Sequence, residues 1–154
     1  MSTQDITNYR RVNDRISTGG QPTPEQLRSA AAESFTAVVN LSTGDAHFSL
    51  DDEAGLVRSL GMAYHHIPVE WENPQESDFA AFEAVLQEHP EDKTLIHCAA
   101  NFRVTAFYSL YALKHLGWTE AQADEFRASI WGNSDYPIWE KFIDNMKVKI
   151  QDQS

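Results

Sequence analysis

Hydrophobic positions along the chain follow two spacings in turn, which predict strands that alternate with helices. Short apolar runs rich in β-branched and aromatic residues predict the strands, and residues 9–12 lead into a further edge strand. These runs lie at residues 35–41, 62–69 and 94–96. Between and after them, apolar residues recur at every third or fourth position, as on the buried face of a helix. The alternation predicts an α/β fold with a central, mostly parallel sheet of four or five strands flanked by helices.

Capping signals predict where several helices begin. Residues 23–26 and 119–122 both show the pattern of a capping box, in which two side chains satisfy free amides at the start of a helix. Ser77 is predicted to cap a helix that runs to about His89. A loop is predicted at residues 42–47. Further helices are predicted at residues 51–60, 104–117 and 137–150.

The composition fits one domain over residues 1–154. Hydrophobic residues make up 42% of the chain, which is enough for a substantial core. The net charge of −11 argues against nucleic acid or an anionic membrane surface as a partner. The sequence has no apolar run of membrane-spanning length, and the polar start at residues 1–5 differs from a signal peptide. We therefore expect a cytoplasmic protein.

The chain's only cysteine, Cys98, lies on a predicted turn between a strand and a helix. Amides in such a turn and in the first turn of the helix have no intrahelical acceptors, so the position suits an anion. The same field stabilises a thiolate, and we expect an acidic thiol. Arg103 supplies a planar fork of donors that fits a tetrahedral oxyanion. Cys98 is therefore a candidate nucleophile, and a buried structural thiol is the alternative.

His97 and Cys98, followed by four residues and then Arg103, resemble the phosphate-binding loop of the cysteine-dependent protein tyrosine and dual-specificity phosphatases. That family has five residues between cysteine and arginine, so the loop here is one residue shorter. It also lacks the family's glycine, and Asn101 is its only residue that reaches positive φ at modest cost. The family's hydroxyl residue directly follows the arginine. Here Val104 directly follows Arg103, and Thr105 comes next. Thr105 matches the position of the family's hydroxyl residue only when positions are counted from Cys98.

A closer resemblance is to a bacterial branch of this superfamily, the beta-lactamase-hydrolase-like phosphatases. It covers most of the chain, because four segments occur in the order of that family. The segments are Ser17-Thr18-Gly19-Gly20-Gln21-Pro22, Val38-Val39-Asn40-Leu41, His66-Ile67-Pro68-Val69 and the loop that starts at His97. The resemblance implies a three-layer fold like that of the dual-specificity phosphatases.

The resemblance also implies hydrolysis of phosphate monoesters, and in its narrower form a protein tyrosine phosphatase. Cys98 would attack phosphorus and form a cysteinyl-phosphate, while the Arg103 guanidinium and the loop amides hold the oxygens. Thr105 would assist the departing sulfur, and His97 would support the loop by hydrogen bonds. The implied phosphate-binding residues are Ala99, Ala100, Asn101, Phe102 and Arg103. The implied partners are a phosphorylated small molecule or phosphoprotein and a phosphate or sulfate ion, and no metal or other cofactor is implied.

The segment after Val69 would leave the same edge of the sheet as Cys98, and it carries two glutamates. In dual-specificity phosphatases a similar loop carries the aspartic acid that protonates the leaving group. Glu72 is the nearest counterpart here and Glu70 the second. Trp71 is expected to raise the pKa of a neighbouring carboxyl group by desolvation. The alternative is that both glutamates are ordinary solvated charges.

Two other functions stay open at this point. Rhodanese-like sulfurtransferases also place four residues between cysteine and arginine, and Cys98 would then carry a persulfide. A catalytically silent phosphate-binding module is the third possibility, because the short loop without glycine and the displaced hydroxyl of Thr105 weaken the chemistry. The pair of helices predicted after Gly117 resembles the phosphatases rather than the rhodaneses, which favours the phosphatase.

The remaining histidine pair and aromatic residues are expected to be structural. Adjacent strand residues face opposite sides of a sheet, so His65 and His66 are not expected to bind one metal ion. Several aromatic residues late in the chain are expected to pack the C-terminal helices together. They are Trp118, Trp131, Tyr136 and Trp139.

Overall fold

Five short strands form the sheet in the computed structural model, which describes residues 2–43, 50–88 and 90–152. The strands are β1 (Arg10–Arg11), β2 (Ile16–Gly19), β3 (Ala37–Asn40), β4 (Ala63–His66) and β5 (Thr94–His97). Their spatial order is β1-β2-β5-β3-β4. The edge pair β1 and β2 is antiparallel, and the other three pairs are parallel. The predicted mostly parallel sheet is therefore confirmed.

A short 3-10 helix (Thr3–Asp5) and six α-helices complete the described part of the chain. The α-helices are α1 (Pro24–Ala32), α2 (Glu53–Ser59), α3 (Glu76–Glu88), α4 (Phe102–His115), α5 (Glu120–Trp131) and α6 (Pro137–Asp152). The last two helices follow α4 without an intervening strand, as the sequence predicts. Of the helices in these ranges, none combines the length and the apolar character needed to cross a lipid bilayer.

Neighbouring residues of the two central strands face opposite sides of the sheet, and helices cover each side. Val38 of β3 and Leu95 of β5 belong to a buried cluster that includes side chains of α1 and α2. Val39 and Ile96, one position further along each strand, belong to a larger cluster with side chains of α3, α4, α5 and α6. The chain therefore has the three-layer α/β fold that the resemblance implies.

Four strands end at the same level of the sheet. Gly19, His97, Asn40 and His66 lie side by side in parallel register at the ends of β2, β5, β3 and β4. Residues that follow these strands therefore meet at one edge, where ligands of such sheets commonly bind. Cys98 is the first residue after β5 and lies at this edge, as predicted.

Both predicted capping boxes are present. The hydroxyls of Thr23 and Thr119 accept the amides of Gln26 and Gln122 at 3.1 Å, and each glutamine side chain accepts the amide of its cap residue. Such reciprocal bonds satisfy donors that a helix start otherwise leaves free. These two helix starts were therefore readable from sequence alone.

The predicted start of α3 is wrong by two positions. The helix begins one position before Ser77, which lies inside the first turn rather than at the cap. The Asp78 carboxylate accepts the Gln75 amide at 3.0 Å, so an acidic side chain satisfies this donor and the serine hydroxyl is not needed. The predicted end of this helix at His89 lies outside the described residues. Residues 44–47 of the predicted loop also lie outside them.

Candidate active site

Cys98 lies in a short turn between β5 and α4, and only 1% of its surface is exposed. Its amide donates to the Gly19 carbonyl at 3.3 Å, which extends the contact between β5 and β2 by one residue. The helix that follows has 14 residues and begins at Phe102, earlier than the predicted start at Val104. The candidate nucleophile is thus buried in a short turn, separated by three residues from a long helix whose N-terminus stabilises an anion.

Asn101 makes the turn into α4, with a φ of 69° in the left-handed region. This is the residue for which the sequence predicts positive φ. Its side chain is fully buried and donates from Nδ2 to the Asn8 carbonyl at 2.8 Å and to Thr18 Oγ1 at 3.0 Å. It makes no side-chain cap on α4, so this residue does not compete with an anion for the amides of the first turn.

Arg103 lies in the first turn of α4 with its side chain partly buried. The guanidinium carbon is 5.6 Å from the centroid of the Trp71 ring, within the range of a cation–π contact. The buried Nε has no hydrogen-bond partner within the part of the chain that the structure describes. Buried donors in folded proteins are almost always paired, so this one is suited to an external acceptor. An oxyanion is the acceptor that fits a guanidinium best.

The His97 ring is completely buried and lies between two acceptors. Nδ1 is 3.3 Å from the Cys98 carbonyl oxygen, and Nε2 is 2.7 Å from Glu53 Oε2. Burial alone would raise the pKa of Glu53, but the hydrogen bond and charge of His97, with hydrogen bonds from Gln21 and Tyr64, lower it overall. The structure thus adds Glu53 to the site. Sequence reasoning missed it, because an acidic residue in a first helical turn is common for the helix dipole alone.

Gly20 and Gln21 support the turn that contains Cys98. The Gln21 amide donates to the Ala99 carbonyl at 3.0 Å, and the Gly20 amide donates to the Thr7 carbonyl at 2.7 Å. A Cβ atom on Gly20 would lie 2.7 Å from the Ala99 carbonyl oxygen, which is closer than real contacts allow. The segment recognised in sequence as Ser17 to Pro22 therefore packs its backbone directly against the turn.

The hydroxyl of Thr105 is buried and bonded to other groups. Oγ1 lies 2.8 Å from the Asn101 carbonyl and 3.1 Å from the Phe102 carbonyl, and it accepts the Trp131 indole N–H at 3.1 Å. A hydroxyl has one proton to donate, and here two helix carbonyls share it. The predicted bond from Thr105 to the sulfur therefore requires a rotation of this hydroxyl. The indole that bonds the Thr105 hydroxyl belongs to Trp131 of α5. The spacing of residues within the loop could not predict this contact.

The side chains of Glu70 and Glu72 are both exposed. The sequence predicts that Trp71 desolvates a neighbouring carboxyl group, and this exposure contradicts it. Trp71 itself fixes the segment. Its carbonyl accepts the Trp139 indole N–H at 2.7 Å, and its ring lies near the Arg103 guanidinium. The two glutamates therefore flank a residue whose ring contacts Arg103. Which carboxyl group faces the candidate phosphate site stays a prediction.

An aromatic cluster joins this segment to the C-terminal helices. Phe102, the residue before Arg103, has ring centroids of Trp131 at 5.1 Å and Tyr136 at 5.9 Å. Trp71 lies 4.9 Å from Tyr136 and 5.2 Å from Trp139. The sequence predicts that these late aromatics pack helices together. In addition, the structure places three of them against the loop and the glutamate segment.

His65 and His66 are the last two residues of β4. His66 Nε2 lies 2.6 Å from the Ser42 carbonyl, and this side chain is exposed at the end of β4. Across the described residues, the structure contains no group of three or more histidine, cysteine, aspartate or glutamate side chains suited to hold a metal ion.

Comparison with solved structures gives two close matches, both crystal structures of the "Putative phosphatase (DUF442)" from Shewanella putrefaciens CN-32. One has a TM-score of 0.88 and 29% identity, over 95% of this chain and 92% of that chain. The other has a TM-score of 0.87 and 30% identity, over 96% of this chain and 95% of that chain. No protein-family model matches the chain.

The chain is also similar to the beta-lactamase hydrolase-like protein of Xylella fastidiosa (strain Temecula1 / ATCC 700964), with 26% identity over 102 residues. The match covers 64% of this chain and 23% of the relative. The chain thus spans about a quarter of the length of the curated relatives that it matches. The resemblance predicted from the four segments is confirmed.

A more distant match shows how far the fold extends. TpbA of Pseudomonas aeruginosa, solved in complex with pTyr, has a TM-score of 0.73 at 14% identity, over 98% of this chain and 93% of that chain. At this identity the likeness concerns the fold alone. The architecture of the chain is that of the cysteine-dependent tyrosine and dual-specificity phosphatases.

Proposed function

The chain belongs to the DUF442 family of proteins with a cysteine-phosphatase fold, and we propose that it hydrolyses phosphate monoesters with Cys98 as nucleophile. One observation carries the proposal. The buried Arg103 Nε has no acceptor among the described residues, and it lies in the first turn of the helix that follows Cys98. A guanidinium donor and helix N-terminal amides together fit a phosphoryl group.

In the first step the Cys98 thiolate attacks phosphorus. The S–P bond forms while the P–O bond to the leaving group breaks, and a carboxyl group donates its proton to the departing oxygen. The Arg103 guanidinium and the amides of residues 99–103 hold the three remaining oxygens, where charge accumulates in the transition state. In the second step water attacks phosphorus, the S–P bond breaks and the carboxylate accepts the proton of the water.

Glu72 is the proposed acid, with Glu70 as second candidate. The support is positional, because both flank Trp71, whose ring contacts Arg103 and whose carbonyl is fixed by Trp139. Glu72→Gln and Glu70→Gln form a matched pair of variants, equal in charge and separated by two positions. We expect Glu72→Gln to slow hydrolysis of esters with poor leaving groups by about 100-fold, while esters with good leaving groups are less affected. The opposite pattern in the two variants would assign the acid to Glu70.

An aryl phosphate such as phosphotyrosine is the substrate class that we propose to test first. TpbA, which shares the fold, is solved with pTyr, and the Trp71 and Phe102 rings supply aromatic surface near Arg103. A phosphorylated small molecule is the other class. The net charge of −11 repels either substrate at long range, so affinity depends on the local positive charge of the loop.

The experiment is hydrolysis of p-nitrophenyl phosphate by the purified chain and by Cys98→Ser. We expect turnover by the chain, no turnover by the variant and an unchanged circular dichroism spectrum. Rapid acid quenching followed by mass spectrometry is expected to show one phosphoryl group on Cys98. Turnover that survives in Cys98→Ser would refute the assignment of the nucleophile.

The sulfurtransferase is the second candidate, because four residues separate Cys98 from Arg103. Transfer of sulfur from thiosulfate to cyanide, without ester hydrolysis, would favour it. Sulfate or phosphate binding to the loop without turnover of any ester would instead identify a silent phosphate-binding module. Calorimetric titration with inorganic phosphate separates this case from a chain that binds no oxyanion.

A further inference from the structure

The buried carboxylate of Glu53 is connected to the Cys98 carbonyl through the His97 ring, and it has no part in the steps proposed above. Glu53 is 6% exposed and His97 is 0% exposed, and Oε2 of the first lies 2.7 Å from Nε2 of the second. The two residues come from α2 and β5 and are 44 positions apart in the chain. A buried ion pair is costly to form unless hydrogen bonds satisfy both partners, so the surroundings of this pair decide its protonation.

The groups around Glu53 are hydrogen-bond donors. Gln21 Nε2 donates to Oε1 at 2.7 Å, and the Tyr64 hydroxyl is also bonded to the carboxylate. The Tyr64 oxygen accepts Asn40 Nδ2 at 3.0 Å, so its single proton remains for Glu53. A carboxyl group that accepts hydrogen bonds from several donors is favoured in its charged form. Glu53 is therefore ionised.

The groups around His97 are acceptors. Nδ1 faces the Cys98 carbonyl oxygen at 3.3 Å, and a carbonyl oxygen has no hydrogen to give, so Nδ1 carries one. Nε2 faces the ionised carboxylate of Glu53, so it carries a hydrogen too. With both nitrogens protonated, the ring is an imidazolium. Its Nδ1 side lies toward the backbone of Cys98, and Glu53 bonds the opposite nitrogen, so the positive end of the pair is directed toward the turn.

We propose that Glu53 is a positioning residue, which keeps His97 charged and through it holds the Cys98 thiol ionised and the turn in place. The inference rests on the proposed function, because it acts through Cys98 as nucleophile. Without the carboxylate, a fully buried imidazole would lose its proton, since burial disfavours the charged form. The turn would then lose the positive charge that faces the Cys98 carbonyl oxygen.

Other charged and titratable groups near the pair do not replace this charge. The Tyr64 ring lies 6.2 Å from that of His66, whose Nε2 is bonded to the Ser42 carbonyl. Burial raises the pKa of Tyr64 to about 12, with a smaller contribution from the charge of Glu53, so this phenol is neutral near pH 7. The Arg58 guanidinium carbon lies 6.0 Å from the Tyr64 ring and contacts its face.

The ionisation of Cys98 can be measured without any substrate. The rate of alkylation by iodoacetamide across pH reports the thiolate fraction, because the thiolate is the reactive form. Cys98 is the only cysteine, so the signal belongs to one residue. The test variant is Glu53→Gln, which has the same shape and can still bond His97 but carries no charge. The matched control is Asp52→Asn, which removes the same charge from the neighbouring exposed cap residue, and asparagine caps a helix equally well.

We expect Glu53→Gln to slow alkylation about tenfold below neutral pH, because a smaller fraction of the thiol is present as the reactive thiolate. Asp52→Asn is expected to follow the profile of the unmodified chain. An unchanged profile in Glu53→Gln would overturn the proposal. If Glu53→Gln does not fold, His97→Asn takes its place, with the same expected direction and the same refuting result.

A second readout is the protonation of the ring itself. In protein labelled with ¹⁵N-histidine, both His97 nitrogens are expected to be protonated at neutral pH, and Glu53→Gln is expected to give a neutral ring. A neutral His97 in the unmodified chain would also overturn the proposal. If no phosphate ester is hydrolysed but the alkylation profile shifts as expected, the proposed function fails and the role of Glu53 in ionising Cys98 stands.

Discussion

Asn8 and Asn101 hold the turn after Cys98 from two sides. Asn101 Nδ2 donates to the Asn8 carbonyl at 2.8 Å, and Asn8 Nδ2 donates to the Ala100 carbonyl at 3.0 Å. Both residues have positive φ, at 53° for Asn8 and 69° for Asn101. Asparagine enters this region more readily than other residues that have a Cβ atom. The start of the chain is thereby part of the support of the candidate phosphate site.

Replacing Asn101 separates the backbone contribution from the side-chain contribution. Asn101→Ala removes the two side-chain hydrogen bonds and strains the backbone, so we expect the free energy of unfolding to fall by about 2–3 kcal/mol. Asn101→Gly loses the same bonds but adopts positive φ freely, so a smaller loss is expected. Urea denaturation of both variants measures the difference. Equal losses would show that the left-handed conformation carries no strain.

Gly20 tests how closely the backbone must approach the turn. A Cβ atom there would lie 2.7 Å from the Ala99 carbonyl oxygen and 3.2 Å from the Ala100 Cα, and both are backbone atoms of the loop. We expect Gly20→Ala to displace the loop and weaken binding of inorganic phosphate at least tenfold, because an oxyanion site depends on converging amides.

Gly61→Ala is the control for Gly20→Ala. A Cβ atom at Gly61 meets nothing within 4 Å, but its φ of +84° makes alanine strained. This variant should lose about 1 kcal/mol of stability and keep its affinity for phosphate. Calorimetric titration with phosphate, together with thermal unfolding, distinguishes the two effects. Equal phosphate affinity in both variants would contradict the role assigned to Gly20.

Much of the fold could be predicted because its signals are local. The strand that ends at His97 and the helix after Cys98 follow from apolar spacing, and the box at Thr23 is formed by residues three positions apart. Ser77 does not cap α3, because the helix already begins at Glu76 and the Asp78 carboxylate accepts the Gln75 amide just before it. Capping preferences favour both serine and aspartate at a helix start, so they do not decide which of two neighbouring residues bonds the free amides.

The support of the candidate site could not be predicted, because its residues meet only in the folded chain. Glu53 reaches His97 from 44 positions away, and Asn8 reaches Ala100 from 92 positions away. Neither belongs to a pattern with a fixed spacing. The same holds for Trp131, whose indole N–H donates to the Thr105 hydroxyl from a different helix. Only tertiary packing brings these groups together, and periodicity along the chain does not encode it.

Thr105 and Trp131 share a hydrogen bond whose contribution a double-mutant cycle can measure. Thr105→Val leaves the buried indole N–H with one acceptor fewer, and Trp131→Phe removes the donor. We expect each single variant to lower the free energy of unfolding by about 1–3 kcal/mol, and the double variant to lose less than the sum.

The same Thr105 variant tests the predicted help to the departing sulfur. Because helix carbonyls share the hydroxyl proton, we expect breakdown of the cysteinyl-phosphate in Thr105→Val to stay within about threefold of the unmodified chain. Rapid-quench measurement of the intermediate supplies this rate. Accumulation of the phosphorylated chain in Thr105→Val, and not in Trp131→Phe, would instead restore the catalytic role predicted from the sequence.

Tyr108 predicts how the fold responds to alkaline pH. Burial in α4 raises the pKa of Tyr108 to about 12, with a smaller contribution from Tyr111, whereas the ordinary value is 10.0. A group whose pKa is raised by folding contributes stability that is complete below the unfolded value. That stability is lost as the pH rises from about 10 toward about 12, because the unfolded chain releases the proton first. Urea denaturation across this range should show a falling free energy of unfolding, and Tyr108→Phe should fall less steeply than the unmodified chain. Below pH 10 the two proteins should differ by a constant amount, and parallel curves across the whole range would show that Tyr108 ionises as easily in the folded chain as in the unfolded one.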